Sequence, residues 1–134
     1  MKTLVLISRL LLGLIFTVFG LNGFLHFIPA PLPTGIAGQY VGALFVSHYL
    51  SVVFALELVA GVLLLVNRFV RAAVTILAPI LVNIALFHGC MAPEGYAPAV
   101  VAVVLWSVLF YRERAAFSPL LAAIGSDKPV HAEG

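Results

Sequence analysis

A few polar side chains interrupt the long apolar stretches of this sequence: Asn22 and His26 in the first, Glu57 in the second, Asn83 and His88 in the third. Carboxyl and imidazole groups exchange protons, so Glu57 and His26 are the candidates for acid–base work. The amides of Asn22 and Asn83 suit hydrogen bonding to a ligand carbonyl or hydroxyl, and His88 suits the rim of such a site. Glu57 most needs a physical reason. An acidic side chain at the centre of a membrane helix lies about 2.5 to 3.5 kcal/mol uphill on insertion scales, which makes it a functional hypothesis by default.

The elements that must position these groups follow from composition. The chain has 134 residues, 63% hydrophobic and 9% charged, and its mean hydropathy of +1.20 is that of an integral membrane protein. Spans of about 20 residues leave room for about four crossings in one domain. Only helices and closed barrels cross a bilayer, and long Leu, Val, Ile and Ala runs without short alternating segments select helices. The pattern predicts spans over about 10–27, 50–66, 70–87 and 97–111. Pro29, Pro31 and Pro33 close the first, Pro79 sits inside the third, and Arg112, Glu113 and Arg114 close the fourth. The basic start of the first stretch resembles a signal peptide. Its apolar run exceeds the usual length of about 7 to 15 residues, however, and no convincing cleavage site precedes Pro29, so a retained span is expected.

Between the first two spans, Pro31 to Tyr49 carries no Lys, Arg, Asp or Glu. A short interfacial helix over 37–46 is expected there, covering the mouth of the bundle, with Tyr40 and Tyr49 at headgroup level. After the fourth span, Ser118 and Pro119 read as the cap and first turn of a short surface helix carrying Leu120, Leu121 and Ile124. Residues 126–134 read as a frayed tail. The expected fold class is therefore all-α: an integral membrane antiparallel four-helix bundle over 1–114, with a cytoplasmic interfacial helix and tail over 115–134.

Charge supports the same segmentation. Four crossings place Lys2, Arg9, Arg68, Arg71, Arg112, Arg114 and Lys128 on one side, which accounts for every Lys and Arg. The positive-inside rule then puts both termini in the cytoplasm. The net charge of +2 carries its information through this placement, and nucleic-acid binding has no support. Cys90 is the single cysteine, so an intramolecular disulfide and a C-x-x-C redox pair are excluded.

Counting helical rise from the basic end of each span puts Asn22 about 20 Å, Glu57 about 16 Å and Asn83 about 18 Å deep, with His26 and His88 at about 26 Å. Three helices thus contribute polar groups to the outer half of the membrane. Asn22 and His26 are one turn apart and share a face. Asn83 and His88 lie about 140° apart on an ideal helix, so their convergence requires distortion, for which Pro79 supplies a motive. A buried hydrogen-bonded cluster of Glu57 with Asn22, His26 and Asn83 is expected. It serves either as a polar clamp between helices or as a functional site.

Other residues carry weaker signals. Gly13, Thr17 and Gly20 form a stripe for close helix approach. His88, Cys90 and Met91 include soft metal donors but make an incomplete shell, and no metal is assigned. His48 suits the interface, Trp106 an anchor or core position, and His131 a solvated tail.

The stretches RLLLGLIFTVFGLNGFLHFIPAP, ELVAGVLLLVNRF and APILVNIALFHGCMAPEG resemble the DoxX-like family of small four-helix membrane proteins, over about 9–111. The resemblance implies that fold and singles out Asn22, His26, Glu57, Asn83 and His88 as matches to the family's polar positions. The family takes its name from a subunit of a thiosulfate:quinone oxidoreductase. What it implies here is a subunit associated with a quinone or another lipophilic ligand, working with a redox partner in a bacterial or archaeal cytoplasmic membrane. The arrangement is also similar to that of vitamin K epoxide reductase, whose paired cysteines this chain lacks. No haem, flavin or iron–sulfur signature is present, so electrons need another source and a complete enzyme is not expected from this chain alone. The alternative is a non-catalytic structural or assembly subunit, with its apolar surface against another membrane protein. Transport, with Glu57 carrying protons, is a third reading; four short spans without inverted repeats weaken a monomeric transporter, and a homo-oligomer would restore that reading.

Overall fold

The apolar runs fold as helices. The computed structural model describes residues 1–122 and contains α1 (Lys2–Leu25), α2 (Gly35–Val46), α3 (Tyr49–Leu65), α4 (Val70–Cys90) and α5 (Tyr96–Phe117). Short 3-10 turns cover Pro93–Gly95 and Ser118–Leu121, and no strand occurs among the described residues. Lys2–Leu25, Val70–Cys90 and the stretch Pro93–Leu121 are long and apolar enough to cross a membrane. The pair α2 and α3, bent by 84°, makes a fourth such element when taken as one.

Several boundaries differ from the sequence reading for identifiable reasons. The first helix begins at Lys2, because Arg9 is accommodated within it. The Arg9 guanidinium donates to the carbonyl oxygens of Leu64 and Leu65. These belong to the last turn of α3, where carbonyls lack intrahelical donors and the helix dipole favours a cation. The same helix ends at Leu25 because His26 turns into the left-handed region, φ 52° and ψ 43°, and donates its N–H to the Asn22 carbonyl. At the other end of the chain, α5 runs on through Arg112, Glu113 and Arg114 to Phe117, longer than the expected fourth span. Ser118 and Pro119 open a 3-10 turn directly on α5 where a separate surface helix was expected. Ile124, Lys128, His131 and the expected tail over 126–134 lie outside the described residues.

Two helix pairs, α1 with α3 and α4 with α5, run antiparallel. Along α1, Gly13 lies against Gly61 and Leu64, and Gly20 against Phe54 and Leu58, so position numbers fall on α3 as they rise on α1. Between α4 and α5, the Trp106 indole donates to the Val74 carbonyl oxygen at 2.9 Å, and Arg71 pairs with Glu113 at 2.7 Å. The indole bond sits one residue before Thr75, whose own carbonyl loses its donor to Pro79. These contacts gather Arg9, Arg68, Arg71 and the Arg112–Arg114 segment at one end, and Glu94 lies in the turn at the opposite end.

Packing is uneven along the bundle. Leu12, Phe16, Leu64, Ala73, Leu77 and Leu109 belong to a closed core toward the basic end. Two apolar helices gain little from the hydrophobic effect in lipid, so close contact has to come from small residues. Gly61 supplies it: a Cβ there would stand 2.6 Å from Thr17 Oγ1 and 2.9 Å from the Gly13 carbonyl oxygen. In the other half α1 and α3 stay in contact through Gly20 and Phe54, while a cavity opens between α2, α3 and α4.

Candidate functional site

Between α2, α3 and α4 lies a cavity of about 370 Å³. Tyr40 and Leu44 border it from α2, Tyr49, Phe54 and Glu57 from α3, and Asn83, Phe87 and His88 from α4. Three features of the sequence build it. The change of direction between α2 and α3 at Ser47 and His48, with His48 at φ 60°, sets α2 crosswise. Residues along one side of α3 recur at Tyr49, Val53, Leu56 and Glu57. The α4 wall runs from Pro79 to His88.

Glu57 is buried, with 6% of its surface exposed, and borders the cavity. It lies about 12 Å of helical rise from Tyr49, at the end of the cavity nearer the closed core. Among the described residues no hydrogen bond joins Glu57 to Asn22, His26 or Asn83, so the expected clamp of those four groups is not what the structure shows. Each of the amides is otherwise engaged. Asn22 accepts a hydrogen bond from the Ile28 backbone N–H at 2.7 Å, and Asn83 donates from Nδ2 to the Pro79 carbonyl oxygen at 2.9 Å.

The structure thus divides the candidates. Glu57, Asn83 and His88 border one cavity, whereas Asn22 and His26 do not. The shared face assigned to Asn22 and His26 presumed a helix continuing past His26. Since α1 stops at Leu25, His26 leaves that face and is exposed. Phe54 packs edge to face on Phe24, with ring centroids 6.4 Å apart, while also bordering the cavity, so an aromatic wall stands on the α1 side.

Asn83 and His88 border the same cavity despite their spacing along α4. The α4 positions that border it cover about half the circumference of an ideal helix, at 100° per residue, with Pro79 and Asn83 toward one edge and His88 at the other. The cavity wraps the helix. At the His88 edge the aromatic groups interlock: Tyr40 stacks on Phe87 at 5.9 Å, and Phe87 meets the His88 ring edge to face at 5.0 Å. Sequence reasoning placed Tyr40 and Tyr49 at headgroup level and missed their part in the cavity. The uncharged segment in which they sit, between a proline series and the Glu57 helix, was the available signal.

Among the described residues, no group of three or more His, Cys, Asp or Glu is placed to hold a metal ion. Comparison of the chain with protein-family models, curated proteins and solved structures finds no match.

Proposed function

We propose that the chain is a DoxX-like integral membrane subunit whose cavity takes the head of a lipophilic small molecule, with a quinone-class ring as the ligand and a separate redox protein as the source or acceptor of electrons. One observation carries this reading: a buried carboxyl group, Glu57, borders an apolar, aromatic-rimmed cavity that is open between α2, α3 and α4. Small-molecule sites typically combine about 300 to 1,000 Å³ of mostly apolar space with a few convergent polar groups. The cavity has that make-up.

Each group has a task its chemistry permits. Glu57 exchanges a proton at the end near the closed core, as reduction or oxidation of a quinone requires. Asn83, with one N–H held by Pro79, retains Oδ1 and a second N–H for a ligand carbonyl or hydroxyl. Tyr40 and Phe87 offer ring faces to an aromatic or quinonoid head. Antiparallel packing and the gathering of basic residues at one end favour an orientation with that end in the cytoplasm. The cavity then lies in the outer half of the bilayer, with α2 along the outer interface.

The test is purification of the full chain in detergent, followed by mass spectrometry of co-purifying lipids and quinones. Wild type is expected to retain a quinone-class molecule, and Glu57→Gln to reduce its occupancy about tenfold while the fold is kept. His26→Ala, which alters a residue outside the cavity, leaves occupancy unchanged. A wild-type protein free of such molecules, bound instead to a stoichiometric protein partner, would contradict the proposal in favour of an assembly subunit.

A further inference from the structure

We propose that His88 is a fixed hydrogen-bond acceptor at the rim of the cavity, and that the site therefore selects lipophilic molecules carrying a hydroxyl group over those whose oxygen only accepts. This rests on the reading of the cavity as a ligand site and specifies the chemistry of its ligand.

The orientation of the imidazole is set by the turn between α4 and α5. Nδ1 of His88 lies 3.0 Å from the Ala92 carbonyl oxygen. A carbonyl oxygen only accepts, so Nδ1 must carry the proton, and in the neutral ring Nε2 is then left as an acceptor with a free lone pair. Among the described residues Nε2 has no hydrogen-bond partner. The ring is also held in place by packing. A Cβ at Gly95 would overlap Cε1 and Nδ1 of the ring and stand 3.1 Å from Nε2, so the absence of a side chain there makes the space the imidazole occupies. On its other flank the ring meets Phe87, itself stacked on Tyr40.

Carbonyl, glycine and aromatic contacts together fix one nitrogen of known character on a residue that borders a largely apolar cavity. A half-buried acceptor without a donor loses hydrogen-bond energy, and a ligand hydroxyl restores it. A ligand offering only an ether or carbonyl oxygen would set two acceptors against each other. In the quinone reading, this rim favours the reduced, hydroxyl-bearing form.

The test compares a matched pair of probes, 4-decylphenol and its methyl ether 4-decylanisole, binding to the purified full chain by titration calorimetry. Wild type is expected to prefer the phenol by about tenfold, the worth of one satisfied hydrogen bond against an unpaired acceptor. His88→Phe, which keeps an aromatic ring, removes the preference while leaving the affinity for the ether within about twofold. Gly95→Ala, which displaces the imidazole, weakens the preference without removing it. Nitrogen-15 NMR of histidine-labelled protein gives a readout independent of those variants: His88 carries its proton on Nδ1, and 4-decylphenol shifts the Nε2 resonance. A preference for the phenol retained in His88→Phe, equal binding of both probes by wild type, or a proton found on Nε2 overturns the inference while leaving the cavity a ligand site. Failure of wild type to bind either probe overturns the ligand-site reading itself.

Discussion

Asn22 and Glu57 look alike in the sequence, as polar residues inside apolar runs, but the structure gives them different work. Asn22 ends a helix: its side chain accepts from Ile28 and its carbonyl from His26, so the chain can leave α1 with its donors satisfied. Asn22→Ala is expected to remove the Ile28 acceptor, costing about 1 kcal/mol of stability. A lower melting temperature in detergent, with quinone occupancy unchanged, would show this. Glu57, by contrast, is buried beside a cavity with no such partner among the described residues. His88 is the third kind, a side chain whose surroundings fix which of its atoms can donate.

At the scale of elements, the α1–α3 seam and the crosswise α2 carry the architecture. Gly61 and Gly42 make a matched test, because an added Cβ meets Thr17 and Gly13 at the first and open space at the second. Gly61→Ala is expected to push the two helices apart and destabilise the protein by about 1 to 3 kcal/mol. Gly42→Ala, in an exposed part of α2, should be neutral or stabilise by up to about 1 kcal/mol through helix propensity. Thermal unfolding in detergent compares the two directly. A loss of stability at both positions would mean that α2 is packed more tightly than its open surroundings indicate.

The elements themselves were legible in sequence because apolar run length and proline placement are local signals. Gly13 and Gly20 likewise announced a close approach by their spacing. What was not legible depended on contacts between distant positions. Arg9 looked like a flank of the first span, and only the carbonyls of Leu64 and Leu65 explain why it sits inside the helix. His26 counted as one turn above Asn22, and only the left-handed turn at the helix end removes it from that face. Glu57, Asn83 and His88 were found by depth alone, but the cavity that joins them depends on the 84° bend before α3, which hydropathy does not report.

For the whole molecule, the distribution of charge makes a topological prediction. Cys90 is an exposed, free thiol at the end of α4 opposite the basic residues. A membrane-impermeant maleimide is expected to label it in intact cells from outside, whereas a cysteine at Ser118 in a Cys90→Ser background is labelled only after permeabilisation. The reverse pattern would invert the proposed orientation.

Whether Glu57 is kept for a ligand or for the bundle is decided by Glu57→Leu, with stability and ligand content measured on the same preparation. Replacing a buried, unpartnered carboxyl with an apolar side chain is expected to stabilise the fold by about 1 to 3 kcal/mol, seen as a higher melting temperature in detergent, while the co-purifying quinone-class molecule is lost. A lower melting temperature with that molecule fully retained would make Glu57 a structural clamp and contradict its role in ligand binding.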